Sequence, residues 1–239
     1  GYDLPTSPLL EAREKQGELA VFDDTIACGN GTTQAMSMIF NTAPKDRDSS
    51  DLWYEYLNLI DTIRMAGYHT TWLSNQEPSS GWGNLEGVYA HRSDEFKFMR
   101  ITGGIKGGGF VAAQPDEQLL PYLDEFLQDN HQPRQYYTIH LYGTHEIFSS
   151  RYTDKFAKFT ADDEEGDSKG EKQTKAEYDN AVLYNDYIVN EIIRRFEDKN
   201  AIIFYISDHG MDLYDTSKNA QHTAEEKRSK HMIEIPFVV

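Results

Sequence analysis

Apolar residues in this chain fall into short runs separated by polar, glycine-bearing turns, and the runs alternate with stretches of helical spacing. "LAVFDDTIA" (19–27) reads as a strand entering the turn "CGNG", and "TTQAMSMIF" (32–40) then reads as a helix start with Thr32 near its N-terminus. "DLWYEYLNLIDTIRMAG" (51–67) carries helical spacing and stops on Gly67. "YHTTWLSNQ" (68–76) and "QYYTIHLYGTH" (135–145) are strands that end in polar groups, with the helix "EQLLPYLDEFLQDN" (117–130) between them. "YDNAVLYNDYIVNEIIRRFEDKN" (178–200) is a long amphipathic helix, followed by the strand-like "AIIFYISDHG" (201–210) and a closing strand at "EIPFVV" (234–239).

Strands alternating with helices predict an α/β fold with a mainly parallel central sheet and helices on both faces. In such sheets functional groups gather beyond the carboxyl ends of the strands. Four strands end in candidate chemistry: Cys28–Thr33, Ser74–Gln76, Gly143–His145 and Ser207–Gly210.

Composition narrows the function. The 239 residues hold 40 acidic and 23 basic side chains, a formal net charge of −17. That balance excludes a nucleic-acid surface and a basic face for anionic lipid. Cys28 is the only cysteine, so no intrachain disulfide forms. No apolar run reaches the ~18 residues of a membrane span. The length suits one domain, and residues 161–176 read as a charged, mobile surface segment without periodicity.

Asp208 and His209 are metal-ligand types placed side by side before Gly210, a residue that permits a turn. An Asp capping the next helix beside a surface histidine is the alternative. His145 stands at a strand end and His222 shortly after the Asp-His pair. Thr32 is either a helix cap or a nucleophile at a helix N-terminus, where negative charge is stabilised. His69, His91, His131 and His140 have no evident partner, and His231 reads as a surface residue.

"CGNGTTQAMSMIF", "TTWLSNQ", "HLYGTHEIFSSRYTDKFAKF", "YDNAVLYNDYIV" and "FYISDHG" occur in an order that resembles the sulfatase-like catalytic domain of bacterial phosphoethanolamine transferases, in the alkaline phosphatase superfamily. "GYDLPTSPLL" and "IEIPFVV" extend the resemblance over essentially the whole chain. It implies an alkaline phosphatase/sulfatase-like fold spanning 1–239 and a zinc-dependent transfer of phosphoethanolamine from phosphatidylethanolamine to lipid A, a core sugar or another glycan. Thr32 would be the nucleophile, forming a phospho-threonine intermediate. Thr32, Asp208 and His209 would contact zinc, one ion or two. His145 and His222 would contact the transferred phosphate or a second metal, and Asn75 and Gln76 would face the substrate. The resemblance also implies a glutamate ligand and membrane helices upstream of Gly1, an inner-membrane protein with this domain in the periplasm, and little lipid turnover by these 239 residues alone. Other activities on the same fold are a phosphoglycerol transferase, a sulfatase or a phosphodiesterase; a sulfatase would need cysteine or serine where Thr32 stands. A non-catalytic, metal-free domain retaining the fold is the alternative of a different kind.

Overall fold

The computed structural model describes residues 4–42, 55–79, 84–99, 114–222 and 229–239. The chain divides into two compact units, one of residues 1–30, 114–117 and 142–239, the other of residues 31–113 and 118–141.

The second unit holds the parallel sheet. Strand β2 (His69–Ser74) lies between β3 (Glu95–Phe98) and β4 (Gln135–His140), parallel to both. The run "TTWLS" is buried along its whole length, as expected of a strand enclosed on both faces. Trp72 is fully buried and packs with Met36, Ile60, Leu85, Tyr89 and Ala90, with Phe40 tilted 5.4 Å from its ring. Those partners come from helices α2 (Thr32–Ile39), α3 (Leu59–Met65) and α4 (Leu85–Ala90); α5 (Leu119–Asp129) also packs on β2. The predicted helix over 51–67 begins only at Leu59, because the Asn58 side chain accepts the Asp61 amide and so caps the helix there. Residues 51–54 lie outside the described residues. Gly67 closes α3 at φ +82°, the left-handed conformation that favours glycine.

The first unit is organised around α6 (Lys169–Arg194). Its apolar face buries Ala181, Tyr184, Ile188, Val189 and Ile192, and its polar residues brace the segments around it. Asp186 accepts the amides of Leu9 and Leu10, both at 3.0 Å, and thereby caps α1 (Pro8–Lys15), whose own Ser7 makes no side-chain cap. Asn180 accepts the amides of Lys158 and Phe159 and donates to the Phe159 carbonyl. Asn180 and Asp186 of "YDNAVLYNDYIV" are therefore structural ties.

Three sequence expectations differ here. "LAVFDDTIA" forms strand only at β1 (Val21–Phe22), and "AIIFYISDHG" only at β5 (Tyr205–Ile206). Both pair antiparallel with β6 (Phe237–Val238), so this small sheet is antiparallel and β1 and β5 are its edges among the described residues. Ile202 and Phe204 are accordingly 76% and 65% exposed, whereas a central strand would have buried them. The charged stretch 161–176 also carries regular structure. A 3₁₀ turn at Ala161–Asp163 is closed by a Thr160/Asp163 capping box, and Ser168 caps α6, so residues 169–176 are its first two turns. Caps and i,i+4 pairs such as Lys175–Glu171 at 2.7 Å provide the order that apolar periodicity does not.

Candidate active site

In the first unit, β5 leads into Ser207, Asp208, His209 and Gly210. The Asp208 carboxylate accepts the His209 amide at 3.0 Å and faces His209 Nε2 at 3.6 Å. Ser207 Oγ donates to the His209 carbonyl at 2.7 Å. Gly210 is needed for close approach rather than for a left-handed turn. A Cβ there would lie 2.1 Å from the His231 carbonyl oxygen and 2.9 Å from that of Glu234. Its amide donates to the Met232 carbonyl, so the Asp-His pair is pinned against the 3₁₀ turn Lys230–Met232. The expected turn-permitting role of Gly210 is corrected accordingly, since the glycines at positive φ are Gly17, Gly67 and Gly143 among the described residues.

His222 stacks on His209 with ring centroids 4.3 Å apart and planes 13° from parallel. His145 stands edge-on to His222 at 6.1 Å. Each imidazole directs Nδ1 at a backbone carbonyl: His209 at Gly210 (2.9 Å), His222 at Asn30 (3.2 Å) and His145 at Glu146 (2.7 Å). A carbonyl only accepts, so all three are Nδ1–H tautomers whose lone pair lies on Nε2. A backbone partner on one nitrogen is what orients a metal-ligating or proton-accepting histidine. The His222 imidazole is held below its ordinary pKa, first by burial and then by the charges of His209 and His145, against the pull of the Asn30 carbonyl and Glu146. Asn30 belongs to the turn "CGNG", and what this stretch supplies to the cluster is a carbonyl.

Thr32, Asn75 and Gln76 belong to the second unit. Thr32 is the first residue of α2, after Gly31 in extended conformation at its N-cap. Asn75 is fully buried, and its amide donates to the His140 carbonyl at 2.9 Å. The Gln76 side-chain amide donates to the Leu141 carbonyl and lies 3.2 Å from His140 Nε2, while Ser74 Oγ lies 3.1 Å from His140 Nδ1. Gln76 donates, so His140 accepts at Nε2 and gives its Nδ1 proton to Ser74. His140 thus has partners after all. His69 faces Glu95 at 3.5 Å, and His91 packs edge-on against Phe96 at 4.6 Å.

The donor set in the first unit suits a divalent cation of the zinc type: an Asp carboxylate beside imidazole Nε2 atoms oriented through their other nitrogen. Among the described residues no three His, Cys, Asp or Glu side chains stand close enough together to hold a metal ion between them.

A parallel sheet flanked by helices, with an Asp-His-Gly site after a strand, defines an alkaline phosphatase/sulfatase-like protein, and the sulfatase family profile matches residues 1–239. The chain belongs to the sulfatase family. Proteins named phosphoethanolamine transferases are among its relatives within that family. It is 29% identical over its whole length to phosphoethanolamine transferase EptC of Escherichia coli O18:K1:H7, and 28% identical to phosphoethanolamine transferase CptA of Salmonella typhimurium. In both cases it spans 41% of the relative. Among solved structures it matches the C-terminal periplasmic domain of E. coli EptC in complex with zinc, with TM-score 0.87 and 27% identity, covering 100% of this chain and 66% of that one. The soluble domain of lipooligosaccharide phosphoethanolamine transferase A from Neisseria meningitidis matches with TM-score 0.76 and 27% identity, covering 100% of this chain and 70% of that one. No helix among the described residues is long and apolar enough to cross a membrane.

Proposed function

We propose that this chain is the catalytic domain of an inner-membrane phosphoethanolamine transferase, acting in the periplasm on phosphatidylethanolamine as donor and on lipid A, a core sugar or another glycan as acceptor. The observation that carries the reading is the row of three imidazoles, His209, His222 and His145, each directing Nδ1 at a backbone carbonyl, with Asp208 beside the first. It stands in a chain whose longer relatives include proteins named phosphoethanolamine transferases.

The reaction is a double displacement. Thr32 Oγ forms a bond to the donor phosphorus as the bond to the diacylglycerol oxygen breaks, and the proton lost by Thr32 is the one diacylglycerol gains. The acceptor hydroxyl oxygen then bonds to phosphorus, the Thr32 O–P bond breaks, and the hydroxyl proton returns to Thr32. Asp208, His209 and Thr32 would hold zinc, which supplies Lewis-acid stabilisation of phosphoryl oxygens and a lowered hydroxyl pKa. The N-terminus of α2 favours negative charge on the oxygen of its first residue. His222, fixed through Nδ1 with its Nε2 lone pair open, is suited to carry the proton. His145, fixed through Nδ1, presents its Nε2 to the transferred phosphoryl group. Asn75 and Gln76 act as positioning groups beside the substrate.

The test is mass spectrometry of the full-length enzyme after incubation with phosphatidylethanolamine. A phosphoethanolamine adduct on the peptide containing Thr32 is expected, and it should vanish in Thr32→Ala. An adduct on another residue, or turnover without one, overturns the double displacement.

A further inference from the structure

The segment that carries His145 has neither helix nor strand of its own between β4 and the 3₁₀ turn Phe148–Ser150. Its backbone polar groups must therefore find partners elsewhere. Two charged side chains, both more than nine-tenths buried, provide them: Asp116 and Arg151 are 4% and 7% exposed. Asp116 accepts the Tyr142 amide on Oδ1 and the Gly143 amide on Oδ2, each at 2.8 Å. Gly143 stands at φ +62°, the left-handed region that favours glycine. From downstream, Arg151 Nε donates to the His145 carbonyl at 2.8 Å and Nη2 to the Glu146 carbonyl at 2.9 Å. The Arg151 guanidinium also lies 3.9 Å from the centroid of the Tyr142 ring, and that ring meets His145 edge-on at 5.3 Å.

The Glu146 carbonyl accepts both Arg151 Nη2 and His145 Nδ1. The oxygen that sets the His145 tautomer is thus itself held by a planar cation whose fork reaches two successive carbonyls. Lysine cannot reproduce that fork. Burying two full charges is costly unless each is well hydrogen-bonded. Here the bonds go to the backbone of one short loop, the loop whose side chain faces His222.

We propose that Asp116 and Arg151 are positioning residues for His145. They grip its loop from both ends and hold the imidazole as the Nδ1–H tautomer with Nε2 toward the reacting phosphoryl group. This rests on the reading of His145 as a phosphate-contacting residue.

The experiment uses the full-length enzyme and the variants Arg151→Lys and Asp116→Asn, each alone and combined with His145→Ala. Selective histidine ¹⁵N labelling reports the His145 tautomer, steady-state transfer reports kcat and KM, and thermal melting reports folding. In the native His145 background kcat is expected to fall about 10–100-fold, as when an outer-shell partner of a functional histidine is removed. KM for the donor should stay within about twofold, and the His145 signal should change from one tautomer to a mixture. In the His145→Ala background neither variant should cost more than about twofold further, since coupled residues are not additive. Equal losses in both backgrounds, or an unchanged tautomer in both single variants, overturn the proposal. Full turnover by His145→Ala alone would instead remove His145 from the reaction; the tautomer measurement then still decides whether Asp116 and Arg151 orient it.

Discussion

The two units each contain a histidine at or just beyond the end of β4, and the two are used in opposite ways. His140, the last residue of β4, has both ring nitrogens engaged by side chains of the neighbouring strand end, Ser74 on Nδ1 and Gln76 on Nε2, with Trp72 edge-on at 6.1 Å. His145, five residues on, spends Nδ1 on a backbone carbonyl and presents the Nε2 lone pair beside His222. A histidine that ties two strand ends through both nitrogens cements a sheet. One oriented through a single nitrogen is set up to receive a metal or a proton. Position at a strand end does not separate the two uses; the partner of the second nitrogen does.

Substitutions should divide along that line. The largest effect belongs to Thr32→Ala, which should lower transfer on the order of 10⁴-fold or more, as removal of a nucleophile does, with an unchanged melting temperature. A variant retaining a tenth of native turnover would take Thr32 out of the nucleophile role. His145→Ala should lower kcat by about 10²-fold while leaving stability within about 0.5 kcal/mol. His140→Ala should do the reverse. It leaves Ser74 and Gln76 without their ring partner and should cost about 1–3 kcal/mol in chemical denaturation, with turnover nearly native. If His140→Ala instead abolishes transfer in a stably folded protein, the contrast between the two histidines collapses.

A smaller effect concerns pH. Asp179, buried on α6, is pushed up to about 7, first by burial and then by the Glu164 carboxylate beside it. An acid whose folded pKa exceeds its unfolded value of about 4 favours folding in its protonated form. Its contribution is therefore complete below about pH 4 and is lost as pH rises through about 7. Urea denaturation between these limits should show stability decreasing with pH, and Asp179→Asn should flatten that slope; an identical slope in the variant would remove Asp179 from the titration. The smallest expected difference lies at 161–168, where amide exchange should be fast, since exposed turns hold those residues without a buried apolar face. The first turns of α6 at 169–176 are expected to exchange nearly as fast, because charged caps and pairs tie them to the surface. Strong protection across 161–176 would show that the segment is part of the folded core.

Much of the second unit was legible in the sequence because its signals are local. "TTWLS" is uncharged and carries β-branched and aromatic residues, and it becomes the enclosed strand β2, while helical spacing ending on Gly67 becomes α3 with its left-handed cap. The position of Thr32 at the start of α2 follows from the same local reading. In the first unit a local reading misleads. "AIIFYIS" has the composition of a central strand, yet only Tyr205–Ile206 pair, because strand length is decided by which partners lie alongside.

Residue types at strand ends, together with motif order, sufficed to single out Asp208, His209, His145 and His222 and the family to which they belong. The chain as written also determines its net charge of −17 and the lack of any disulfide within these 239 residues, since both depend on composition alone. Tertiary structure decided what each candidate touches: the Asn30 carbonyl behind His222, the His231 carbonyl that excludes any side chain at Gly210, and the Asp116 and Arg151 grip on the His145 loop. The physical reason is range. Helix periodicity, caps and strand composition act over a few residues. A hydrogen bond between residues 30 and 222, or a close approach between 210 and 231, has no local signature and arises only when packing brings distant backbone together.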